Sequence, residues 1–86
     1  IRESVEIYRR LSEANPARYE PDLALFLGMQ GKILIALQRQ REATDSFREA
    51  AELLRPYAVL YPGGVLERRV QAIEAKYRDL SQGAAG

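Results

Sequence analysis

One stretch of the chain recurs 46 residues further along. Residues 2–16 and 48–62 share five identities in fifteen positions, with Arg, Glu, Glu, Arg and Pro in the same order and at the same spacing. Recurrence at a period of about 20 to 50 residues is typical of repeat proteins, in which one supersecondary unit is copied and stacked on its neighbour. Such a unit cannot bury its apolar face alone. The recurrence therefore predicts a fold built from stacked, similar units.

Apolar residues recur at steps of three and four, which is the period of an amphipathic α-helix. The interruptions divide this pattern into four helices, predicted at about residues 1–15, 21–38, 42–61 and 65–81. The second helix is apolar on most of its circumference, so we expect other elements to cover it on more than one side. Short connections make consecutive helices antiparallel neighbours. The sequence therefore predicts a single all-α domain over residues 1–82, made of antiparallel helical hairpins.

Prolines set the expected ends of these helices, because proline lacks a backbone N–H and disfavours helix in the residue before it. Pro16 is expected to end the first helix, with residues 17–20 as a connector and Pro21 in the first turn of the second helix. Pro56 lies inside the third helical pattern, where we expect a kink or a break. Residues 83–86 are small and are expected to form a disordered tail.

The residue types present argue against catalysis and metal binding. Cysteine and histidine are absent, which removes disulfides, thiolate metal sites and the commonest general base and metal ligand. Many carboxylates stand three or four residues from an arginine, an arrangement typical of exposed ion pairs on helices. The pair Gly63-Gly64 lacks the lysine and hydroxyl residue of a phosphate-binding loop. We therefore predict that the protein is not an enzyme and uses no cofactor and no metal.

Charge and hydropathy limit the classes of partner. Thirteen basic and twelve acidic residues give a net charge of +1, and because both signs are mixed along the chain we do not expect nucleic-acid binding. Uninterrupted apolar runs, such as residues 33–37, are far shorter than the roughly 20 residues of a transmembrane helix. These features predict a cytoplasmic protein without a membrane partner.

The second and third helices resemble a tetratricopeptide repeat, whose signature combines large apolar residues with a Leu-Gly pair and a later Ala-x-x-x-Phe segment. The residues at the matching spacing, which would pack the repeat together, are Leu27, Gly31, Leu34, Ala43, Phe47 and Ala50. Gly31 and Ala43 would let paired helices approach closely, and Phe47 would fill the space between successive hairpins. Gln30 and Gln38 depart from the pattern, since they replace its leucine and its turn glycine.

Residues 8–16 and 19–24 look like the long-helix tetratricopeptide arrays of actinobacterial multidomain proteins, and the resemblance covers about residues 2–56. It implies a right-handed α–α superhelix, or solenoid, in which the first helix of each pair lines a concave groove for a peptide or a partner helix. By position, the groove residues would be Leu25, Gly28, Met29, Lys32, Ile35 and Ala36, with Gln71, Glu74 and Arg78 from the fourth helix. The positions from the second helix, mostly apolar around Lys32, imply an apolar groove with a single cation.

Two hypotheses for function result. The first is a protein–protein interaction scaffold, a segment of a larger bacterial regulatory or signalling protein, whose groove binds a protein or peptide partner. Within this first hypothesis the alternative to a groove is that Leu25, Met29 and Ile35 pack on a preceding repeat.

The second hypothesis is a structural element that forms a homo-oligomer, because the fourth helix carries a heptad-like stripe that can pair with a copy of itself. That stripe consists of Leu66, Val70, Ile73, Tyr77 and Leu80.

Overall fold

The structure, a computed structural model, describes residues 1–60 and 63–85. The helices are α1, Arg2–Ala14; α2, Pro16–Ala36; α3, Gln40–Leu60; and α4, Val65–Ala85. No strand occurs within these described ranges. The prediction of an all-α chain is confirmed.

The predicted start of α2 at residue 21 is wrong, because the helix begins at Pro16 and includes the predicted connector 17–20. Pro16 occupies the first helical position, where a backbone N–H would have had no intrahelical partner. Pro21 also lies near the start of the helix. Because it has no N–H, one backbone carbonyl in the first turns loses its intrahelical hydrogen-bond donor. The Tyr19 N–H donates to the Asn15 carbonyl at 3.2 Å. Asn15 alone therefore separates α1 from α2.

Of the two alternatives expected at Pro56, a kink or a break, the break is not found, since α3 continues through this proline to Leu60. Pro56 and Glu52, whose carbonyl loses its intrahelical donor, both lie on the exposed side of the helix. Water can satisfy a carbonyl in that position. Leu54 and Ala58, on either side of the proline, are buried in the core. Their burial stabilises the helical backbone across Pro56.

The C-terminal helix and the α2–α3 turn also differ from the expectation in detail. α4 runs to Ala85, so residues 83–85 are helical instead of forming the predicted tail, and residue 86 lies outside the described residues. Alanine has the highest helix propensity, which favours continuation at this end. In the α2–α3 turn Gln38 has a φ of 60°, and the Arg39 N–H donates to the Leu34 carbonyl at 2.8 Å. This is the left-handed position that usually carries glycine.

α3 lies at the centre of the fold and packs along both α2 and α4, while α1 packs along α2. A first apolar cluster draws on all four helices, and its buried members are Val5, Leu23, Ala24, Leu27, Ala50, Leu54, Ala58 and Val70. A second cluster lies towards the α2–α3 turn, with buried Leu34, Ala43 and Phe47 and the half-buried Ile35, Ile73, Tyr77 and Leu80 around them. The two clusters hold the helices in one packed unit.

Close approach of α2 and α3 depends on the contact between Gly31 and Phe47. A Cβ atom added to Gly31 would lie 2.7 Å from Phe47 Cε2, well inside van der Waals contact. Ala43 and Ala50 are fully buried between the helices as well. The structure places all six predicted packing residues in the interior: Leu27, Gly31, Leu34, Ala43, Phe47 and Ala50.

Polar contacts between helices supplement the two clusters. Arg9 of α1 binds Glu49 of α3 at 2.6 Å, and Arg55 of α3 binds Glu74 of α4 at 2.9 Å. These two arginines are matched by the 46-residue recurrence. The hydrogen bond to the Glu49 carboxylate raises the pKa of Arg9. Because both pairs are partly exposed, each contributes about 1 kcal/mol or less to stability.

The tyrosine near the end of α3 ties that helix to the start of α2. The Tyr57 hydroxyl donates to Glu20 Oε1 at 2.7 Å, and the Pro16 carbonyl oxygen is 3.2 Å away. The hydrogen bond to the carboxylate, together with desolvation, raises the pKa of Tyr57. A raised folded-state pKa means that this contact stabilises the fold below the ordinary tyrosine pKa of about 10 and weakens as the phenol ionises.

Candidate functional site

A groove with a volume of about 370 Å³ lies between α2 and α4, and Phe47 of α3 forms part of its floor. Both outer helices pack on α3, and the groove is the space that this arrangement leaves between them. The α2 wall consists of Ala24, Leu25, Gly28, Met29 and Lys32, and the α4 wall of Arg69, Ala72, Ile73 and Lys76.

The α2 wall exists because this helix is apolar on two faces. Leu23 and Leu27 on one face are buried in the first cluster. Leu25 and Met29 are four residues apart and therefore share another face, and they remain 43% and 44% exposed. Lys32 continues the same face one turn further along. α1 and α3 both pack on α2, which confirms the prediction that other elements cover this helix on more than one side. Within the described residues the face with Leu25 and Met29 stays uncovered.

The α4 wall is set by how α4 rotates onto α3. Its apolar stripe packs against the two clusters, and this contact turns Arg69, Ala72 and Lys76 towards the groove. The stripe that the second hypothesis pairs with a copy of itself packs on α3, with Val70 buried and the rest half-buried: Leu66, Ile73, Tyr77 and Leu80. Pairing of this stripe with a second copy stays a prediction.

The structure brings together four of the residues predicted for the groove, namely Leu25, Gly28, Met29 and Lys32. Ile35 instead is half-buried against the second cluster. Glu74 binds Arg55 of α3 and so faces away from the groove. Ala36, Gln71 and Arg78 are exposed and do not line the groove.

Sequence reasoning missed the residues that α4 does contribute. Arg69, Ala72 and Lys76 stand at steps of three and four, which places them on one helix face. That face adjoins the apolar stripe, so the signal was present once the stripe was assigned to packing against α3. The groove therefore has three cations, Lys32, Arg69 and Lys76, and the prediction of a single cation is wrong.

The charged residues that line the groove are all basic. No carboxylate lines it, and its three cations form no ion pair with the described residues. Three of the five acidic residues on α2 and α4 are engaged elsewhere: Glu20 accepts from Tyr57, Glu67 accepts from the Gly63 N–H, and Glu74 binds Arg55. The other two, Asp22 and Asp79, are exposed and do not line the groove. The result is an apolar floor bordered by positive charge, although the whole chain is nearly neutral.

A second apolar surface lies on the outer side of α1. Ile7 is 55% exposed there, and Leu11 is 37% exposed. The recurrence matches Ile7 to Leu53, which packs against the first cluster, and Leu11 to Tyr57, which binds α2. Positions that are covered on α3 are thus uncovered on α1. Unlike the groove, this surface is bordered by charges of both signs, from Arg2, Glu3, Glu6 and Arg10.

Among the described helices, none combines the length and apolar character that crossing a bilayer requires. No protein-family model matches the sequence, and neither a curated protein nor a solved structure is detectably similar to the chain.

Proposed function

We propose that this chain is a protein-binding scaffold and that its α2–α4 groove holds a peptide or a partner helix. One observation carries the proposal: Leu25 and Met29 keep more than two fifths of their surfaces exposed in a groove whose floor is the buried ring of Phe47. Contiguous apolar surface that a soluble protein leaves open usually marks a binding site. Grooves between helices are a common mode of peptide recognition.

A tetratricopeptide-like superhelix is the arrangement we propose for these helices. Three features support it: the 46-residue recurrence, the contact between Gly31 and Phe47, and the left-handed backbone of Gln38 at the turn. In such an array α2 and α4 would be the first helices of successive pairs, and the groove between them would be the concave face. We further propose that the chain acts in the cytoplasm, as part of a larger bacterial regulatory protein, by reversible binding without catalysis.

Substitution in the α2 wall tests this function. Random 16-residue peptides displayed on phage are selected on the immobilised chain, and the enriched peptides are synthesised. Leu25→Asp should weaken their binding at least about tenfold, because a charge then replaces an apolar contact in the groove. Leu37→Asp is the matched control, since Leu37 directly follows α2, is 59% exposed and lies outside the groove. Its affinity should stay within about twofold of the wild-type value.

Fluorescence anisotropy gives both affinities, and circular dichroism checks that each variant keeps its helices. Absence of any enriched peptide would contradict the proposal. So would enriched peptides that bind Leu25→Asp as tightly as the wild-type chain.

Self-association through the outer face of α1 is the second candidate function. The exposure of Ile7 and Leu11, whose repeat-matched positions are covered on α3, is the observation that favours it. Light scattering over a wide range of concentrations separates the two functions. If the chain stays monomeric over the whole range of concentrations, self-association is not its main role.

A further inference from the structure

We infer that the occupant of the α2–α4 groove is an acidic amphipathic helix. Its apolar side chains would enter the groove, and its carboxylates would bind Lys32, Arg69 and Lys76. This inference rests on the proposed function and adds the chemistry of the partner.

The length of the groove matches two turns of a helix. Its lining on α2 extends from Ala24 to Lys32 and on α4 from Arg69 to Lys76. At a rise of about 1.5 Å per residue these stretches are about 12 Å and 10.5 Å long. A volume of about 370 Å³ is at the small end of ligand pockets, so it holds a few side chains and not a whole helix. The partner helix therefore lies over the groove and inserts anchors spaced three and four residues apart.

The floor and walls suit aliphatic anchors. Phe47 and Ile73 contribute rigid apolar surface, and Met29 contributes a flexible, polarisable side chain that adapts to the shape of an anchor. Gly28 and Ala72 are small, which keeps the groove open between the larger residues. None of these residues offers a charged or hydrogen-bonding side-chain group to an anchor. Binding at the floor therefore selects for apolar character alone.

The three cations select for charge, and their positions follow from the helix directions. α2 and α3 are antiparallel, as the contacts Gly31–Phe47 and Glu20–Tyr57 show. α4 is antiparallel to α3, because the first half of α3 shares the second cluster with the later part of α4, and the second half of α3 shares the first cluster with the early part of α4. α4 is therefore parallel to α2. Lys32 and Lys76 consequently stand on opposite walls at one end of the groove, and Arg69 stands at the other end. Long basic side chains can lie along apolar surface while their charged groups stay in water, so carboxylates flanking the anchors would meet them.

Three synthetic peptides test this assignment. Each is a labelled 15-residue helix with the same leucines at steps of three and four, and the flanking positions are all Glu, all Gln or all Lys. These three residues have similar helix propensities, so the peptides differ mainly in charge. The Glu peptide should bind the wild-type chain about tenfold more tightly than the Gln peptide, and the Lys peptide should bind most weakly. The preference should shrink as salt is raised.

Charge reversal in the groove locates the effect. Lys32→Glu and Lys76→Glu should each weaken binding of the Glu peptide by about threefold to tenfold, because an attraction is replaced by a repulsion. Arg78→Glu changes the net charge equally and lies on the same helix as Lys76, but outside the groove. It should change affinity less than about twofold. The double variant Lys32→Glu/Lys76→Glu should prefer the Lys peptide over the Glu peptide.

Each other outcome overturns the inference in a recognisable way. Equal binding of the Glu and Gln peptides would remove the role of charge. An effect of Arg78→Glu as large as that of Lys76→Glu would assign the preference to net charge and not to the groove. Failure of all three peptides to bind would exclude an acidic amphipathic helix. Peptides enriched by selection that still depend on Leu25 would then leave the proposed function intact, whereas their absence would remove it too.

Discussion

Phe47→Ala should lower the free energy of unfolding by about 3–5 kcal/mol, the usual loss when a buried phenylalanine is truncated. Phe47 is 2% exposed and contacts Gly31 of α2 while joining residues of α3 and α4 in the second cluster. Domains of fewer than about 70–80 residues rarely exceed about 3–5 kcal/mol of net stability, and this chain is only slightly longer. The variant should therefore lose most of its helical circular dichroism at 25 °C. Phe47→Leu, a smaller truncation, should remain folded with a lower midpoint in urea.

Val59→Ala is the control for that prediction. Val59 lies on the same helix and is 73% exposed, so its truncation should change stability by no more than about 0.5 kcal/mol. Equal effects of Phe47→Ala and Val59→Ala would contradict the packing of Phe47 between α2 and α4.

Alanine substitution should raise the free energy of unfolding at one glycine of α2, Gly28, and lower it at the other, Gly31. Both gain about 0.5–1 kcal/mol from higher helix propensity. Gly28 has open space where its Cβ would lie, whereas at Gly31 the added atom would lie 2.7 Å from the Phe47 ring. The ring is enclosed by the second cluster and cannot move freely, and such overpacking costs about 1–3 kcal/mol. Urea unfolding should therefore find Gly28→Ala more stable than Gly31→Ala by about 1–3 kcal/mol.

A double-mutant cycle attributes the difference to the ring. In a Phe47→Leu background the clash is relieved, so Gly31→Ala should become less destabilising by about 0.5–3 kcal/mol. Gly28→Ala should have the same effect in both backgrounds. Additive effects of Gly31→Ala and Phe47→Leu would show that the glycine is not required for this contact.

The packing of α2 on α3 could be predicted from the sequence because it depends on local spacing. Steps of three and four place Leu27, Gly31 and Leu34 on one face. Alanines and a phenylalanine at matching steps mark the facing side of α3. These positions follow from helix geometry and side-chain size, and both are readable without coordinates.

The boundaries at the prolines were less predictable because tertiary burial outweighs a local preference. Pro16 and Pro21 are compatible with a single helix that begins at the first of them. Pro56 is tolerated because its lost hydrogen bond lies on the exposed side, between buried Leu54 and Ala58. Sequence shows where a proline stands, but the side of the helix that faces water depends on packing.

The α4 wall of the groove was the least predictable part of the site. Its composition depends on the rotation of α4 about its own axis, which is fixed by the packing of Val70, Ile73 and Tyr77 on α3. The predicted residues Gln71 and Glu74 stand two positions after the observed Arg69 and Ala72, which corresponds to a rotation of about 200° at about 100° per residue. This explains why Gln71 and Glu74 were predicted to line the groove and Arg69 and Lys76 were not.

Backbone chemical shifts during a peptide titration test the central claim, that the α2–α4 groove is the binding surface, most directly. The ¹⁵N-labelled chain is titrated with a peptide enriched by selection. Binding in the groove predicts that the largest amide shift changes occur at Leu25, Gly28 and Lys32 of α2 and at Ala72 of α4, while the amide of Ile7 on α1 stays unchanged. Shift changes centred on the outer face of α1, with the groove amides unaffected, would contradict the claim.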